Sequence, residues 1–321
     1  MKFSPLLLSF CLLSLGAAAS AAKAAPRSVL RVFGAGTLAV PFRQLDKVFE
    51  KTHPDVVVQP EFGGSVKMAR RITELGKLAD VIGVADYHVI PKYMFAATGR
   101  KAYANWYAGF AGNAITFAYT KKSRYASDIT ARNWYKVLAR PSVAIGRSDP
   151  NTDPSGYQIL QMLNLAAKYY ADPTLAAGIL ANAPRRDMRD TETSLLSALQ
   201  LGEIDYLAIY RSDAMQHGLE YIKLPAKIDL SDPADASFYK SGVAHTKNGT
   251  LPGKPIVYAV TIPTNAPEPR LAAEYVALLL GPKGQAVMAH NGFRAIKTAY
   301  GVGESHMPAA IRAEVTAWPK W

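Results

Sequence analysis

Short apolar runs alternate with amphipathic segments along most of the chain. Runs rich in valine and isoleucine predict buried strands, and apolar residues three or four positions apart predict helices that pack on them. The predicted strands are Val29–Phe33, Val56–Pro60, Ala79–Ala85, Ile115–Tyr119, Val143–Ile145, Leu207–Tyr210, Tyr221–Leu224 and Ile256–Ile262. This alternation is typical of an α/β protein with mostly parallel sheets.

The predicted helices follow these strands. The first carries its apolar residues on one face, and the second runs from Ser65 through Leu75. The others begin at Tyr157 or cover Thr193–Leu201, Arg270–Leu280 and Pro282–Asn291, and a tail follows the last of them. In the first helix the apolar face consists of Phe42, Leu45, Val48 and Phe49.

The strands Ile115–Tyr119 and Ile256–Ile262 are separated by a long block with strands and helices of its own. A first half-domain, an inserted domain and a return to the first domain explain this layout. The sequence predicts a first lobe over residues 27–117 and 258–321, and a second lobe over 118–257. Two strands crossing between the lobes would form a hinge, with a ligand in the cleft.

Two of the predicted strands run into small-residue turns that carry a hydroxyl and open a helix, at Gly36-Thr37 and at Gly64-Ser65. Such turns lie at the carboxyl edge of a doubly wound sheet, where ligands bind. Helix capping explains either hydroxyl alone equally well. Two equivalent turns favour a ligand site.

A third candidate element is Asp153-Pro154, which opens a predicted helix. Asp is a good helix cap and Pro suits the first helical position. The free amides and the helix dipole at such a helix start can also form a binding site for an anion. A carboxylate would ordinarily repel an anion bound at this site, but its presence is explained if the central atom of the anion accepts an oxygen ligand.

The first 25 residues read as a secretory signal peptide. Lys2 gives a positive start, Phe3–Leu15 is apolar, and Ala19-Ser20-Ala21 is a small-residue cleavage site. No later stretch is apolar for long enough to span a membrane. We therefore expect a soluble periplasmic protein.

The chain's one cysteine, Cys11, lies inside this leader and follows Leu8-Ser9-Phe10. A lipoprotein cysteine would follow small residues, so a lipid anchor is not expected. Removal of the leader also removes the cysteine, which excludes disulfides and thiolate metal sites. The formal net charge is +12, but no Lys/Arg run resembles a nucleic-acid-binding arm. The charge indicates solubility and a mild attraction for anions.

Several ordered segments resemble the periplasmic molybdate/tungstate-binding proteins, especially their archaeal-type tungstate branch. The resemblance implies a type II periplasmic binding fold and delivery of an oxyanion to the permease and ATPase of an ABC importer. It implies no cofactor, no catalysis and no nucleic-acid partner, and we expect a monomer. The segments run between about residues 30 and 295 and are Val32–Phe42, Ile72–Ile82, Asn133–Tyr135, Asp149–Tyr157, Tyr210–Ala214, Gln216–Leu219 and Gly253–Tyr258.

The resemblance also implies which residues bind the oxyanion. The family's two turns match Gly36, Thr37 and Ser65, with Thr37 in place of the usual serine. Its Asp-Pro-Cys element matches Asp153, Pro154 and Ser155, where serine replaces cysteine. A glutamate and a later tyrosine match Glu192 and Tyr210, although the segment between Ser155 and Glu192 is shorter than in archaeal relatives. In this branch the Asp153 and Glu192 carboxylates would complete the coordination of the tungsten or molybdenum centre, which prefers hard oxygen donors.

Three other functions remain as alternatives. A sulfate or phosphate receptor of the same fold would have no need of the carboxylate pair. A ferric-ion receptor would need adjacent tyrosines, for which the chain offers Tyr169-Tyr170 near the end of a predicted helix. A secreted hydrolase lacks support, because the chain has no G-x-S-x-G elbow and no H-E-x-x-H motif. A glycosidase would use two carboxylates such as Asp153 and Glu192, but the sequence does not show that they lie close together.

Overall fold

The computed structural model describes residues 28–99, 101–247 and 249–321. The proposed signal peptide and Cys11 lie outside the described residues. Within the described part of the chain, no helix is long and apolar enough to cross a membrane.

Strands and helices alternate along the chain, as the hydrophobic pattern predicts. The strands are β1 Ser28–Ala35, β2 Val56–Gly63, β3 Val81–Val84, β4 Tyr107–Gly112, β5 Ile115–Tyr119, β6 Ile145–Ser148, β7 Met188–Arg189, β8 Tyr206–Tyr210, β9 Glu220–Tyr221, β10 Val243–Thr246, β11 Gly249–Pro252, β12 Val257–Thr261, β13 Arg294–Val302 and β14 Val315–Ala317. The helices are α1 Ala39–Thr52, α2 Ser65–Thr73, α3 Val89–Met94, α4 Trp134–Leu138, α5 Pro154–Tyr169, α6 Leu175–Ala181, α7 Leu196–Leu201, α8 Arg211–Gln216, α9 Ala226–Asp229, α10 Ala236–Tyr239, α11 Pro269–Leu280, α12 Pro282–His290 and α13 Ala309–Arg312. Short 3₁₀ turns cover Gly36–Leu38, Arg185–Asp187, Glu192–Leu195, Pro233–Asp235 and Glu304–His306.

The first lobe is built on a seven-stranded sheet with the order β14-β13-β4-β12-β3-β1-β2. β1 pairs in parallel with β2 and β3, but β12 is antiparallel to β3 and β4, and β13 is antiparallel to β4. The expectation of mostly parallel sheets is therefore wrong for half of this sheet. The chain enters β12 from the second lobe, so β12 runs in the direction opposite to that of its neighbours β3 and β4.

The second lobe is built on a five-stranded sheet with the order β7-β6-β8-β5-β9. β6 is parallel to β7 and β8, whereas β5 is antiparallel to β8 and β9. Helix α5 packs against β5, β6 and β8. The hairpin of β10 and β11 forms a separate two-stranded sheet beside α5.

Two segments connect the lobes. The chain leaves the first lobe after β4 and enters the second at β5, through Asn113 and Ala114. It returns between β11 and β12, through residues 253–256. Residues 115–117, which the sequence analysis placed in the first lobe, belong to the sheet of the second lobe, because all of β5 pairs with β8.

The segment expected to be a C-terminal tail contains a strand of the large sheet. β13 pairs with β4 next to the centre of that sheet, and β14 extends it in parallel. Trp318 then covers Gly109 of β4, where a side chain would approach the indole to 2.8 Å. The apolar pattern of β13 is interrupted by Arg294, Lys297 and Thr298, which explains why it was not predicted.

The core of the first lobe lies between β1 and helix α1. Leu30 and Val32 of β1 are fully buried, as are the α1 residues Phe42, Leu45 and Phe49, while Val48 is half-buried. Burial of these side chains supplies the main favourable term for this lobe. It also holds the Gly36-Thr37 turn, which joins β1 to α1, in place at the edge of the sheet.

Candidate functional site

The two predicted turns of the first lobe face the second lobe. Thr37 lies in the 3₁₀ turn after β1, and Ser65 is the first residue of α2. Neither hydroxyl caps its helix. The Thr37 hydroxyl is hydrogen-bonded to the hydroxyl of Tyr258 at 2.9 Å, and Ser65 Oγ accepts from the Ala85 amide at 3.0 Å. Ser65 therefore keeps its own proton available for a ligand.

Asp153 occupies the N-cap position of α5, and Pro154 follows at the first helical position. The Asp153 side chain nevertheless makes no capping hydrogen bond to the helix amides. Its Oδ2 accepts from Ser155 Oγ at 2.8 Å instead. The capping interpretation of this carboxylate is therefore wrong. Pro154 has no amide hydrogen and Gly156 donates its amide to the Asp153 carbonyl, which leaves the Ser155 amide for another acceptor.

Ser155 joins the two predicted carboxylates. Its Oγ lies 2.8 Å from Asp153 Oδ2, 2.8 Å from Glu192 Oε2 and 2.5 Å from Ser148 Oγ. The Asp153 and Glu192 carboxyls also lie close enough to interact directly with each other. One serine hydroxyl carries one proton, so further protons must lie between these oxygens.

Glu192 enters this cluster from the 3₁₀ turn Glu192–Leu195, where Thr191 Oγ1 donates to its Oε2 at 3.3 Å. Asp153 and Glu192 are 3% and 1% exposed, so water contributes little to their solvation. Burial, and after it the neighbouring Glu192 carboxyl, raises the pKa of Asp153 well above its usual range. Burial and the mutual repulsion of the two carboxyls therefore favour a proton shared within the pair of Asp153 and Glu192.

Tyr210 ends β8 close to the same acids and is fully buried. Burial raises its pKa well above 10.0, and Tyr258, Asp153 and Glu192 raise it further. Its hydroxyl donates to Gln158 Oε1 at 2.7 Å. Like the hydroxyls of Thr37 and Ser155, the Tyr210 hydroxyl thus already donates its proton to a protein acceptor.

The two sides of the site are in contact across the cleft. A side chain at Gly36 would approach Thr191 and Thr193 of the second lobe to 2.9 Å, and one at Gly64 would approach the Thr152 carbonyl to 2.5 Å. The Lys67 amide donates to that same carbonyl at 3.3 Å. The lobes are therefore closed on one another, with the hydroxyls of one facing the carboxyls of the other.

Two further residues of the site, Asp213 and Tyr258, were not predicted from the sequence, although both lie in segments of the resemblance. Asp213 is 1% exposed, its carboxyl contacts Glu192, and its Oδ2 has no hydrogen-bond partner. Burial and Glu192 raise the pKa of Asp213 well above its usual range. Tyr258 receives hydrogen bonds from Thr37 and from Asn113 Nδ2 at 3.2 Å. A polar residue at the end of an apolar strand was the available signal for Tyr258.

A cavity of about 290 Å³ lies between the lobes beside this cluster. Its lining comes from both lobes and includes Gly36, Arg43, Thr191, Thr193, Asp213 and His217. Of the predicted ligand residues, Gly36 alone lines this cavity. The hydroxyls and hard carboxyl oxygens of the adjacent cluster are groups that bind a compact anion whose centre also accepts oxygen ligands.

The tyrosine pair considered for ferric iron lies elsewhere. Tyr169 ends α5, which rises by about 1.5 Å per residue, so the pair is about 24 Å from Asp153. Tyr170 stacks on Tyr135 and accepts a hydrogen bond from Trp134 Nε1 at 3.3 Å. Among the described residues, no group of three or more His, Cys, Asp and Glu side chains is placed to hold a metal ion.

A family model described as bacterial extracellular solute-binding protein matches residues 30–294, which is most of the chain. The chain belongs to this family. It is 41% identical over 287 residues to a solute-binding protein of Petrotoga mobilis, with 88% of each chain covered. It is 39% identical over 290 residues to the molybdate/tungstate-binding protein WtpA of Pyrococcus abyssi, with 82% of this chain and 83% of the relative covered.

Solved structures of solute-binding proteins share the fold. The periplasmic molybdate-binding protein of Azotobacter vinelandii superimposes with a TM-score of 0.61 at 18% identity, covering 83% of this chain and 99% of that one. The sulfate-binding protein SubI of Mycobacterium tuberculosis gives a TM-score of 0.60 at 13% identity, covering 89% and 90%. Together with the two sheets and the two connecting segments, these neighbours confirm the predicted α/β periplasmic-binding architecture.

Proposed function

We propose that this member of the solute-binding family captures tungstate or molybdate in the cleft between its lobes and delivers it to an ABC importer. The observation that carries the proposal is the buried pair of Asp153 and Glu192, held together by Ser155 and lying against the Gly64-Ser65 turn of the other lobe. The 39% identity to a relative named as a molybdate/tungstate-binding protein supports the same ligand class.

The proposed roles follow from the chemistry of each side chain. Ser65 and the amides of Gly36 and Ser155 donate to the oxo groups in place of the anion's hydration shell, and Thr37 exchanges its bond to Tyr258 for one to the anion. Asp153 and Glu192 turn carboxylate oxygens toward the tungsten or molybdenum centre, which is large and Lewis acidic. The proton shared within this pair leaves when the carboxyl oxygens become ligands. Tyr210 exchanges its bond to Gln158 for one to the anion.

The same carboxylates disfavour the competing anions. Sulfur and phosphorus in sulfate and phosphate do not readily accept two more oxygen ligands. Asp153 and Glu192 could therefore not coordinate these anions and, when ionised, would repel them. A receptor for sulfate needs no such pair. The SubI likeness therefore supports the fold and not the ligand.

The proposal also covers the location of the protein and the transporter that receives the ligand. We infer a periplasmic location after removal of residues 1–25, and a monomer that presents both lobes to the permease of the importer. We infer no catalysis, because the acids of the cleft are matched to a ligand that is bound and released unchanged. The ligand is cargo, and no cofactor is required.

Isothermal titration of the mature protein with tungstate, molybdate, sulfate and phosphate tests the proposal. We expect tight one-to-one binding of tungstate and molybdate and little heat from the other two. Binding of sulfate or phosphate in preference would assign the cleft to a simple tetrahedral anion and remove the coordinating role of Asp153 and Glu192. Binding of ferric iron with a visible absorption band would instead identify the protein as a ferric-ion receptor.

A further inference from the structure

A buried carboxylate outside the proposed ligand set bridges the two lobes. Asp86 lies two residues after β3 in the first lobe and is 2% exposed. Its Oδ2 accepts from the Tyr157 hydroxyl at 2.6 Å and pairs with Lys254 Nζ at 3.0 Å. Tyr157 belongs to α5 of the second lobe, and Lys254 lies on the segment that returns from the second lobe to the first.

Asp86 is held as a carboxylate in this position. Its Oδ1 accepts from the His88 amide at 2.9 Å, so both oxygens have partners. Burial alone would raise the pKa of Asp86, but Lys254, His88 and the Tyr157 hydroxyl outweigh it and lower that pKa below 3.8. Burial, and after it Asp86, raises the pKa of Tyr157 well above 10.0, so this hydroxyl remains the donor. A hydrogen bond to an ionised group is among the stronger ones in proteins.

The bridge joins the turns that carry the proposed ligand residues. The residue before Asp86 donates its amide to Ser65 Oγ, and Tyr157 is in the first turns of α5, next to Ser155. Beside the bridge the lobes are separated by a cavity of about 600 Å³ that is lined by Asp86, Tyr157 and Lys254 together with residues of both lobes. Other polar contacts between the lobes near the bridge are made by Lys67, whose amide donates to the Thr152 carbonyl and whose ammonium pairs with Asp190 at the surface.

We propose that Tyr157, Asp86 and Lys254 form an inter-lobe latch that stabilises the closed cleft and sets how long the ligand stays bound. Tyr157 is then a positioning residue, because it touches no ligand and holds α5 against the first lobe only when the lobes have closed. The latch rests on the proposed function for the choice of ligand, but its action is on the closed conformation. Opening the cleft breaks the Tyr157–Asp86 bond, and the ligand leaves from the open form.

The test compares two tyrosines that donate to buried aspartates. Tyr157→Phe removes the bond between the lobes, and Tyr275→Phe removes the matching 2.7 Å bond to Asp46 inside the first lobe. Stopped-flow fluorescence with tungstate gives the association and dissociation rate constants, and thermal unfolding of the ligand-free protein gives the stability. For Tyr157→Phe we expect dissociation roughly tenfold to a hundredfold faster, with an unchanged association rate constant and ligand-free stability. For Tyr275→Phe we expect the reverse: lower stability and unchanged dissociation.

A double-mutant cycle with Asp86→Asn supplies the second measurement. The effect of Tyr157→Phe on dissociation should shrink by at least roughly threefold in the Asp86→Asn background, because the ionised acceptor is gone. Equal dissociation rates for wild type and Tyr157→Phe, or full additivity in the cycle, would overturn the latch. If wild type binds sulfate or phosphate instead of tungstate and molybdate, the proposed function fails and the same comparison is made with that anion. Binding of none of the four overturns both.

Discussion

Asp153 and Glu192 arrive from two separate elements of the second lobe and meet through one serine hydroxyl, 2.8 Å from an oxygen of each. Each acid begins a helical turn, where a carboxylate ordinarily serves the free amides. The Asp153 side chain makes no capping hydrogen bond, and the Glu192 carboxyl accepts from the hydroxyls of Ser155 and Thr191. Two acids that are nearly buried, adjacent and unused by their helices are costly unless a ligand uses them, and this cost is the physical argument for coordination.

Asp153→Asn and Glu192→Gln should each weaken tungstate and molybdate binding by at least about tenfold, because an amide is a poor ligand for a Lewis-acidic centre. Sulfate binding should stay as it is or improve, since each substitution removes a carboxyl that can ionise beside the anion. Isothermal titration measures both. Asp229→Asn is the matched control, because Asp229 is a buried acid of the same lobe whose carboxyl accepts from the Ser231 amide. Equal tungstate affinity for all four proteins would remove the coordinating role.

Gly64→Ala should impair closure without impairing folding. The backbone at Gly64 has φ −58°, which alanine adopts freely, but its Cβ would lie 2.5 Å from the Thr152 carbonyl across the cleft. We expect tungstate affinity to fall by roughly tenfold or more, since overpacking costs about 1–3 kcal/mol. The melting temperature of the ligand-free protein should not change.

The control for this substitution is Gly178→Ala in α6, where the new Cβ meets Ala139 at an ordinary 3.5 Å. It should stabilise the protein by about 0.5–1 kcal/mol, because alanine favours a helix over glycine, and leave binding intact. A Gly64→Ala protein with normal affinity and a normal closed radius of gyration in X-ray scattering would contradict the closed arrangement of the lobes.

Thr37→Val should weaken oxyanion binding by roughly threefold to tenfold, because it removes one donor and keeps the shape of the side chain. Tyr258 would lose its 2.9 Å partner, which should also reduce the free energy of unfolding by about 1 kcal/mol. Thr37→Ser should restore both quantities, since the hydroxyl returns. Titration calorimetry and chemical denaturation of the two variants separate the donor from the methyl group; equal loss in both would assign the effect to packing.

Asp46 should make stability fall with rising pH. Burial, opposed by the hydrogen bond from Tyr275, raises the pKa of Asp46 from 3.8 to about 6. The folded state therefore binds this proton more tightly than the unfolded state, so the contribution is full below pH 3.8 and is lost as the pH rises through about 6. The loss is at most about 3 kcal/mol.

Asp46→Asn isolates this contribution, because the amide oxygen can still accept from Tyr275 and carries no charge. We expect the variant to match wild type near pH 4 and to melt at a higher temperature at pH 7. Thermal unfolding across this pH range is the measurement. A constant difference between the two proteins at every pH would show that Asp46 titrates normally.

Much of the fold could be predicted because burial leaves a periodic trace. The strand at Val81–Val84 and the face of α1 formed by Phe42, Leu45 and Phe49 appear in the sequence as apolar runs with the correct period. The direction of a strand within a sheet leaves no comparable periodic pattern in the sequence. β12 looks like any buried strand, and its antiparallel pairing with β3 follows only from the path of the chain between the lobes.

The residues of the proposed site also fall into those that local sequence signals indicate and those that only the docking of distant elements places there. Thr37, Ser65 and Asp153 stand where strands or loops turn into helices, which local sequence signals indicate. Asp213 and Tyr157 carry no local mark of their position, since one lies within a short helix and the other within the first turns of α5. Their contacts with Glu192 and Asp86 depend on where distant elements dock.

The sequence by itself determined the α/β class, the inserted second lobe and the family, because hydrophobic periodicity and motif order are properties of the chain. Only the tertiary structure decided that Asp153 leaves its helix uncapped, that Ser155 joins it to Glu192, and that Asp86 and Tyr157 connect the lobes. The physical reason is that these contacts join residues far apart in the chain, and a polar group's partner is set by the packing of whole elements rather than by its neighbours in sequence.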